Sequence, residues 1–275
     1  MFQQSFPCNE QFQSPYYEPV IQFSKYHKTE MELEKLRLIG DEICEKAVTF
    51  IETIKNSDIS NSNCPLKFRN TLNLMRAHIE NESNPNLDVV DFLSGVSTIP
   101  EWVDFSQIER GQFSLIKYSF PTLCLSLLHS SLVGGVSSPK INAVLISTGY
   151  LSGSLTFQRL IETTHWLIDI MKPGSLVPGR KGWRSTISVR ILHEKVRQTI
   201  KRKISRKDSA FDSDFPVSKR KKSNYDIQKY GVPINQEDMI ATALSFFGIY
   251  FDTFPRRLGI VLQERELLDI LAVWR

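Results

Sequence analysis

In RKGWRSTISVRILHEKVRQTIKRKI, residues 180–204, offsets of −4, +3 and +7 from His193 carry Val189, Val196 and Ile200. Those offsets share one face of a helix, so the segment reads as a helix that turns an apolar stripe inward. His193 interrupts that stripe, and Arg190 and Arg197 lie beside it on the same side. An imidazole among apolar neighbours needs a partner. Two local readings stand: a core histidine bonded to a backbone carbonyl, and a ligand to a metal ion or heme iron.

The surrounding chain has the same character. From Thr29, the run TEMELEKLRLIGDEICEKAVTFIETI spaces Met31, Leu33, Leu36, Ile39, Ile43, Val48, Ile51 and Ile54 at helical intervals, with Thr29 as the cap. SDISNSNCP is a break, LKFRNTLNLMRAHIEN a second helix, and NESNPNLD a linker. SLTFQRLIETTHWLIDIMKPG is an amphipathic helix that Pro173 and Gly174 end. In GVPINQEDMIATALSFFGIYF, Asn235 can cap a helix whose first turn holds Gln236, Glu237 and Asp238; Asp238 is a further candidate for capping. LQERELLDILAVWR is the last helix. Hairpin patterning is nearly absent, so the expected fold is all-α, a single large helical bundle-like domain. The expected organisation is a flexible lead over 1–29, a helical lead-in over 30–83 and a main domain over 84–275. The last helix reaches Trp274 and Arg275 without a glycine or proline stop, from which a truncated C-terminus is expected.

At 275 residues, with 41% hydrophobic and 23% charged residues, the chain has the composition of an ordinary globular protein with a substantial core. Its charge is uneven. Residues 195–222 hold 11 Lys or Arg against 3 Asp, leaving 23 basic and 27 acidic residues elsewhere of the chain's 34 and 30. The basicity belongs to an insertion at about 201–224, read as disordered and solvated. KRKISRK and SKRKK look like nuclear-localisation or nucleic-acid patches, but no aromatic residue interleaves with them, so nucleic-acid binding is not expected. Cys8, Cys44, Cys64 and Cys124 are scattered without a CxxC, which argues against zinc and against a disulfide framework. The polar N-terminus lacks the apolar centre of a signal peptide. Residues 118–139 and 141–158 lack Asp and Glu, yet their Ser, Gly and His129 suit buried helices better than spanning ones. This reading places the chain inside the cell, with peripheral membrane association left open.

Five pieces in order carry a family resemblance: IPEWVDFSQIERGQ at 99–112, RLIETT at 159–164, VRILHEKVR at 189–197, YGVPINQEDMIAT at 230–242 and VWR at 273–275. Over roughly residues 87–275 the chain resembles the catalytic domains of the ER-bound oxygenase mpaB and rubber oxygenase (latex-clearing protein) family. The resemblance implies an all-helical fold enclosing heme b, with the iron held by the histidine of the VRxxH segment. It also implies dioxygen chemistry on isoprenoid or polyketide-linked alkenes. His193 becomes the implied metal ligand, and Arg159 and Thr163 match the Arg and Thr that the family places by the heme, giving them cofactor-binding and catalytic roles. A guanidinium suits a heme propionate, and a hydroxyl can donate to a propionate or to bound oxygen. Glu162 stands where rubber-cleaving members carry a lysine near the iron.

For each residue a simpler role stands beside the implied one. Arg159 can pair with Glu162 at i+3, and Thr163 can bond back to a helix carbonyl. His129 is a fallback ligand; His27, His78 and His165 read as structural or exposed. Trp102 and Arg110 read as packing anchors. The expected partners are a hydrophobic or lipid-like substrate and dioxygen. A catalytically inactive relative serving as an interaction or scaffold protein is the rival reading, and a nuclear or nucleic-acid-binding protein, suggested by the basic insertion alone, is a third.

Overall fold

Thr29 starts the first helix as its side chain predicts: its hydroxyl accepts from Glu32 N, and Glu32 accepts from Thr29 N at 2.8 Å. The computed structural model describes residues 11–12, 21–22, 28–58, 70–118, 127, 133–148, 153–209, 225–251, 254 and 258–275. These residues are all-α apart from one short antiparallel pairing, β1 (Gln11–Phe12) with β2 (Ile21–Gln22). The rest of the N-terminal lead, most of the apolar stretch at 118–139, and residues 210–224 of the basic insertion lie outside the described residues. The helix at the start of that insertion runs on through Ser209. Among the described residues no helix is long and apolar enough to cross a membrane.

The periodic run from Thr29 divides into α1 (Glu30–Arg37) and α2 (Glu42–Asp58). The break has a physical reason. The carbonyls of Ile39 and Gly40, which a continuous helix would consume internally, accept from Gln236 N at 3.0 Å and Gln236 Nε2 at 2.8 Å. Asp41 Oδ1 then accepts from Cys44 N at the start of α2. Helix α1 buries no residue fully, whereas α2 buries Cys44, Ala47, Val48 and Ile51 against α3 (Asn70–Asn81), α4 (Leu87–Ser97) and the long helix.

Helix α5 (Phe105–Lys117) is followed by the short α6 (Gly134–Ser137), then α7 (Pro139–Thr148) and α8 (Gly153–Met171). The long helix is α9 (Lys181–Ser209); α10 (Ile227–Tyr230), α11 (Gln236–Phe251) and α12 (Glu264–Trp274) complete the order. Helix α9 is the spine. Its first half gives Trp183, Ile187 and Ile191 to the core of the N-terminal helices. Its second half gives Ile200, flanked by Val196 and Ile204, to a cluster with Ala143, Val144 and Tyr225. A further core joins α5, α8, α11 and α12 through Leu115, Leu167, Phe246 and Ile270. The lead-in helices therefore share their core with α9 and do not build one of their own.

Two motif segments fasten these layers. A methyl group at Gly111 would run into the Asp269 carbonyl, so only glycine lets α5 lie this close to α12. Its neighbour Arg110 grips the Asp269 carboxylate with two bonds of 3.0 Å, the anchoring role expected of it. Trp102 keeps 45% of its surface exposed and is covered on one side by the Arg275 guanidinium, 4.3 Å from the ring centre. Buried Gln112 donates to Ile170 O at 2.6 Å and accepts from Gly174 N at 2.9 Å, which secures the turn that ends α8. Asp169 pairs with Lys181 and accepts from Ser185, tying the end of α8 to the start of α9.

Candidate functional site

His193 lies on α9 between Ile191 of the N-terminal core and Ile200 of the second cluster, and it is partly buried. Burial brings its pKa down to about 4; the charges of Arg197 and then Arg159 push the same way, and Asp41 opposes them. The ring is therefore neutral at pH 7, the form that offers a lone pair to a metal. Among the described residues no hydrogen bond reaches either ring nitrogen. The carbonyl-bonded core histidine is thus not the arrangement found.

The arginines of VRILHEKVR are fully engaged elsewhere. Arg190 donates to Asp41 through Nε at 2.6 Å and Nη2 at 2.9 Å, with its guanidinium 5.2 Å from the centre of the Phe92 ring. Arg197, 3% exposed, donates to Glu194 Oε2 at 2.9 Å and to the Pro233 and Ile234 carbonyls at 2.7–3.2 Å. Glu194 is wholly buried, and its Oε1 has no hydrogen-bond partner among the described residues; burial raises its pKa against the pull of Arg197.

Arg197 explains why VRILHEKVR and GVPIN occur together: its side chain binds the loop that carries the second motif. That loop is tightly turned. Gly231 has φ +75°, and a side chain there would strike the Arg37 carbonyl; Ile234 has φ 51°, the left-handed region that a branched residue rarely enters. Asn235 caps α11, accepting from Asp238 N at 3.0 Å. Asp238 does not cap. It pairs with Lys140 at 2.8 Å, and Glu237 is held by both Lys140 and Arg37.

Arg159 and Thr163 lie one turn apart on α8, both partly buried. The Arg159 charge bears on the His193 ring, lowering its pKa after burial and Arg197. Thr163 donates to the Arg159 carbonyl at 2.8 Å, the helix back-bond that its local context allows. Glu162 is exposed and accepts from Gln158. Of the other histidines, His78 accepts from Asn86 N and tilts against Phe50, a structural role, and His165 is exposed. His27 and the fallback ligand His129 lie outside the described residues.

Among the described residues no three His, Cys, Asp or Glu side chains gather to cage a metal ion. Among the described residues His193 is left with no hydrogen-bond partner, and a lone neutral imidazole is a donor that could hold a heme iron, whose remaining donors would come from the porphyrin. Two surface grooves, of about 430 and 440 Å³, lie elsewhere: one between Trp102, Phe247 and Trp274, the other between Glu42, Phe50 and Asp88. Neither includes His193, Arg159 or Thr163.

Residues 108–275 match the family described as ER-bound oxygenase mpaB/B'/Rubber oxygenase, catalytic domain. The chain belongs to that family, and its general kind is an oxygenase. No curated protein and no solved structure matches the chain. Reasoning from the sequence missed Asp41, Gln112 and the loop-binding role of Arg197. The seven-residue spacing of Arg190 and Arg197 marks one helix face, but nothing local points to partners 149 and 36–37 residues away.

Proposed function

We propose that the chain is a heme b-dependent oxygenase that acts with dioxygen on an apolar, alkene-containing substrate of isoprenoid or lipid type, through a catalytic unit spanning residues 84–275. The observation that carries this reading is His193: a neutral imidazole without a hydrogen-bond partner among the described residues, under the influence of the Arg159 charge, in an oxygenase family. When bound, heme would supply the iron that activates dioxygen. The chain's own residues do the rest. His193 would hold the heme iron through one ring-nitrogen lone pair, and its burial keeps that lone pair free of a proton. Arg159 supplies a fixed cation for a propionate carboxylate. Thr163, its proton given to the Arg159 carbonyl, presents its hydroxyl oxygen as an acceptor. The absence of a lysine at Glu162 favours a substrate and a distal arrangement different from those of the rubber-cleaving members.

The test is an absorption spectrum after expression with a heme precursor, and a hemin titration of the purified protein. A Soret band that His193→Ala abolishes while far-UV dichroism is unchanged supports the reading. A folded, colourless protein that takes up no hemin overturns it and favours the scaffold. Arg159→Ala should weaken hemin binding by about 1.5–3 kcal/mol, the range for a charge-assisted hydrogen bond.

A further inference from the structure

The helix that carries His193 is gripped from outside the family-matched region. Arg190, three residues before His193, lies with its guanidinium fork on the Asp41 carboxylate at 2.6 and 2.9 Å. This geometry suits a planar two-point pair, which fixes orientation as well as distance. Asp41 is itself held, accepting from Cys44 N at the start of α2. The chain just before it, residues 37–40, receives the GVPIN loop: Val232 N donates to Arg37 O at 2.9 Å, Gln236 N to Ile39 O at 3.0 Å and Gln236 Nε2 to Gly40 O at 2.8 Å. Arg197, four residues after His193, lies with its Cδ 3.6 Å from where a side chain on Gly40 would begin, and it binds the other side of the same loop. The segment 37–41 thus touches both arginines of the motif or the loop they hold. One helical turn on either side of His193 is pinned to it.

We infer that Asp41 is a positioning residue of the His193 site, and that segment 37–41 with the GVPIN loop forms a clamp setting the rotation and depth of the His193 turn of α9. This inference rests on the reading of His193 as a heme ligand. The clamp's reach is consistent with the influence of the Asp41 charge on the ring. It has a further consequence: residues 108–275 alone, the portion that matches the family, lack one side of the support for His193. Removal of a group that orients a metal ligand typically costs about 10–100-fold in metal affinity.

The experiment uses the full chain. Asp41→Asn keeps the size and the helix-capping oxygen but removes the charge; Arg190→Lys keeps the charge but removes the fork. Both should retain wild-type far-UV dichroism, bind hemin about 10-fold or more weakly, and shift the Soret maximum and the ferric spin-state spectrum, which loss of stability alone would not move. The exchanged pair Asp41→Arg with Arg190→Asp should recover part of the affinity. Wild-type hemin affinity and spectra in both single variants would overturn the clamp. If the wild-type chain takes up no hemin, the heme reading falls, and amide exchange of the cofactor-free chain decides the clamp separately. Faster exchange in residues 189–197 and 231–236 on Asp41→Asn supports it, and unchanged exchange there overturns it.

Discussion

Arg197 shows how much one side chain carries. Its guanidinium is the partner of a wholly buried carboxylate and the donor to two loop carbonyls. Arg197→Ala leaves Glu194 buried without a counter-charge and leaves the carbonyls of a strained loop unbonded. Removing one member of a buried pair costs about 3–5 kcal/mol, and urea unfolding at pH 7 should show a loss of that size. Because burial already raises the Glu194 pKa, acid should neutralise the stranded carboxyl, and the loss should shrink as the pH falls. His193 supplies the other titration. An imidazole whose folded value, about 4, lies below its ordinary 6.5 takes up a proton first in the unfolded chain. Its contribution is therefore complete above pH 6.5 and is lost as the pH falls toward 4, roughly 3 kcal/mol at about 1.4 kcal/mol per pH unit. In the cofactor-free protein, His193→Gln should flatten the stability curve across that window.

Among the elements, the α5–α12 contact and the start of α11 are the most sharply specified. Gly111→Ala would place a methyl group against the Asp269 backbone, and overpacking of this kind costs about 1–3 kcal/mol. A lowered melting temperature should report it, and the Arg110–Asp269 bonds should be displaced with it. Asn235→Ala should cost about 1 kcal/mol through loss of the α11 cap. Helix existence was legible at this scale because it depends on local spacing and on caps. Thr29, Pro173–Gly174 and Asn235 act where the residues indicate. The division between α1 and α2 was not legible: apolar spacing runs on through Ile39, and the break exists because the first residue of α11, almost 200 residues later, takes those carbonyls.

For the whole molecule, α9 joins clusters that would otherwise stand apart, so α9 and its neighbours should unfold as one unit. Acid should act on that unit in two stages. His193 erodes stability from pH 6.5 downward. Asp41, Asp169 and Glu237, whose ion-pair and hydrogen-bond partners hold their pKa values below the usual carboxylate range, contribute stability that is intact above that range and is lost only as the pH falls through their lowered values. Far-UV dichroism and urea midpoints from pH 7 to pH 2 should separate the two stages, with His193→Gln removing the first alone.

The sequence by itself determined most of the helices and the family, and it nominated His193, Arg159 and Thr163 as candidates, because periodicity, caps and ordered motifs are properties of neighbours along the chain. Tertiary structure alone decided the partners. Among the described residues it left His193 without a hydrogen bond, committed Arg197 to the GVPIN loop, paired Arg190 with Asp41 and sent Asp238 to Lys140 instead of a cap. The reason is physical: a buried charge or an unpaired carbonyl must find its complement somewhere, and only the packed chain determines which distant residue supplies it.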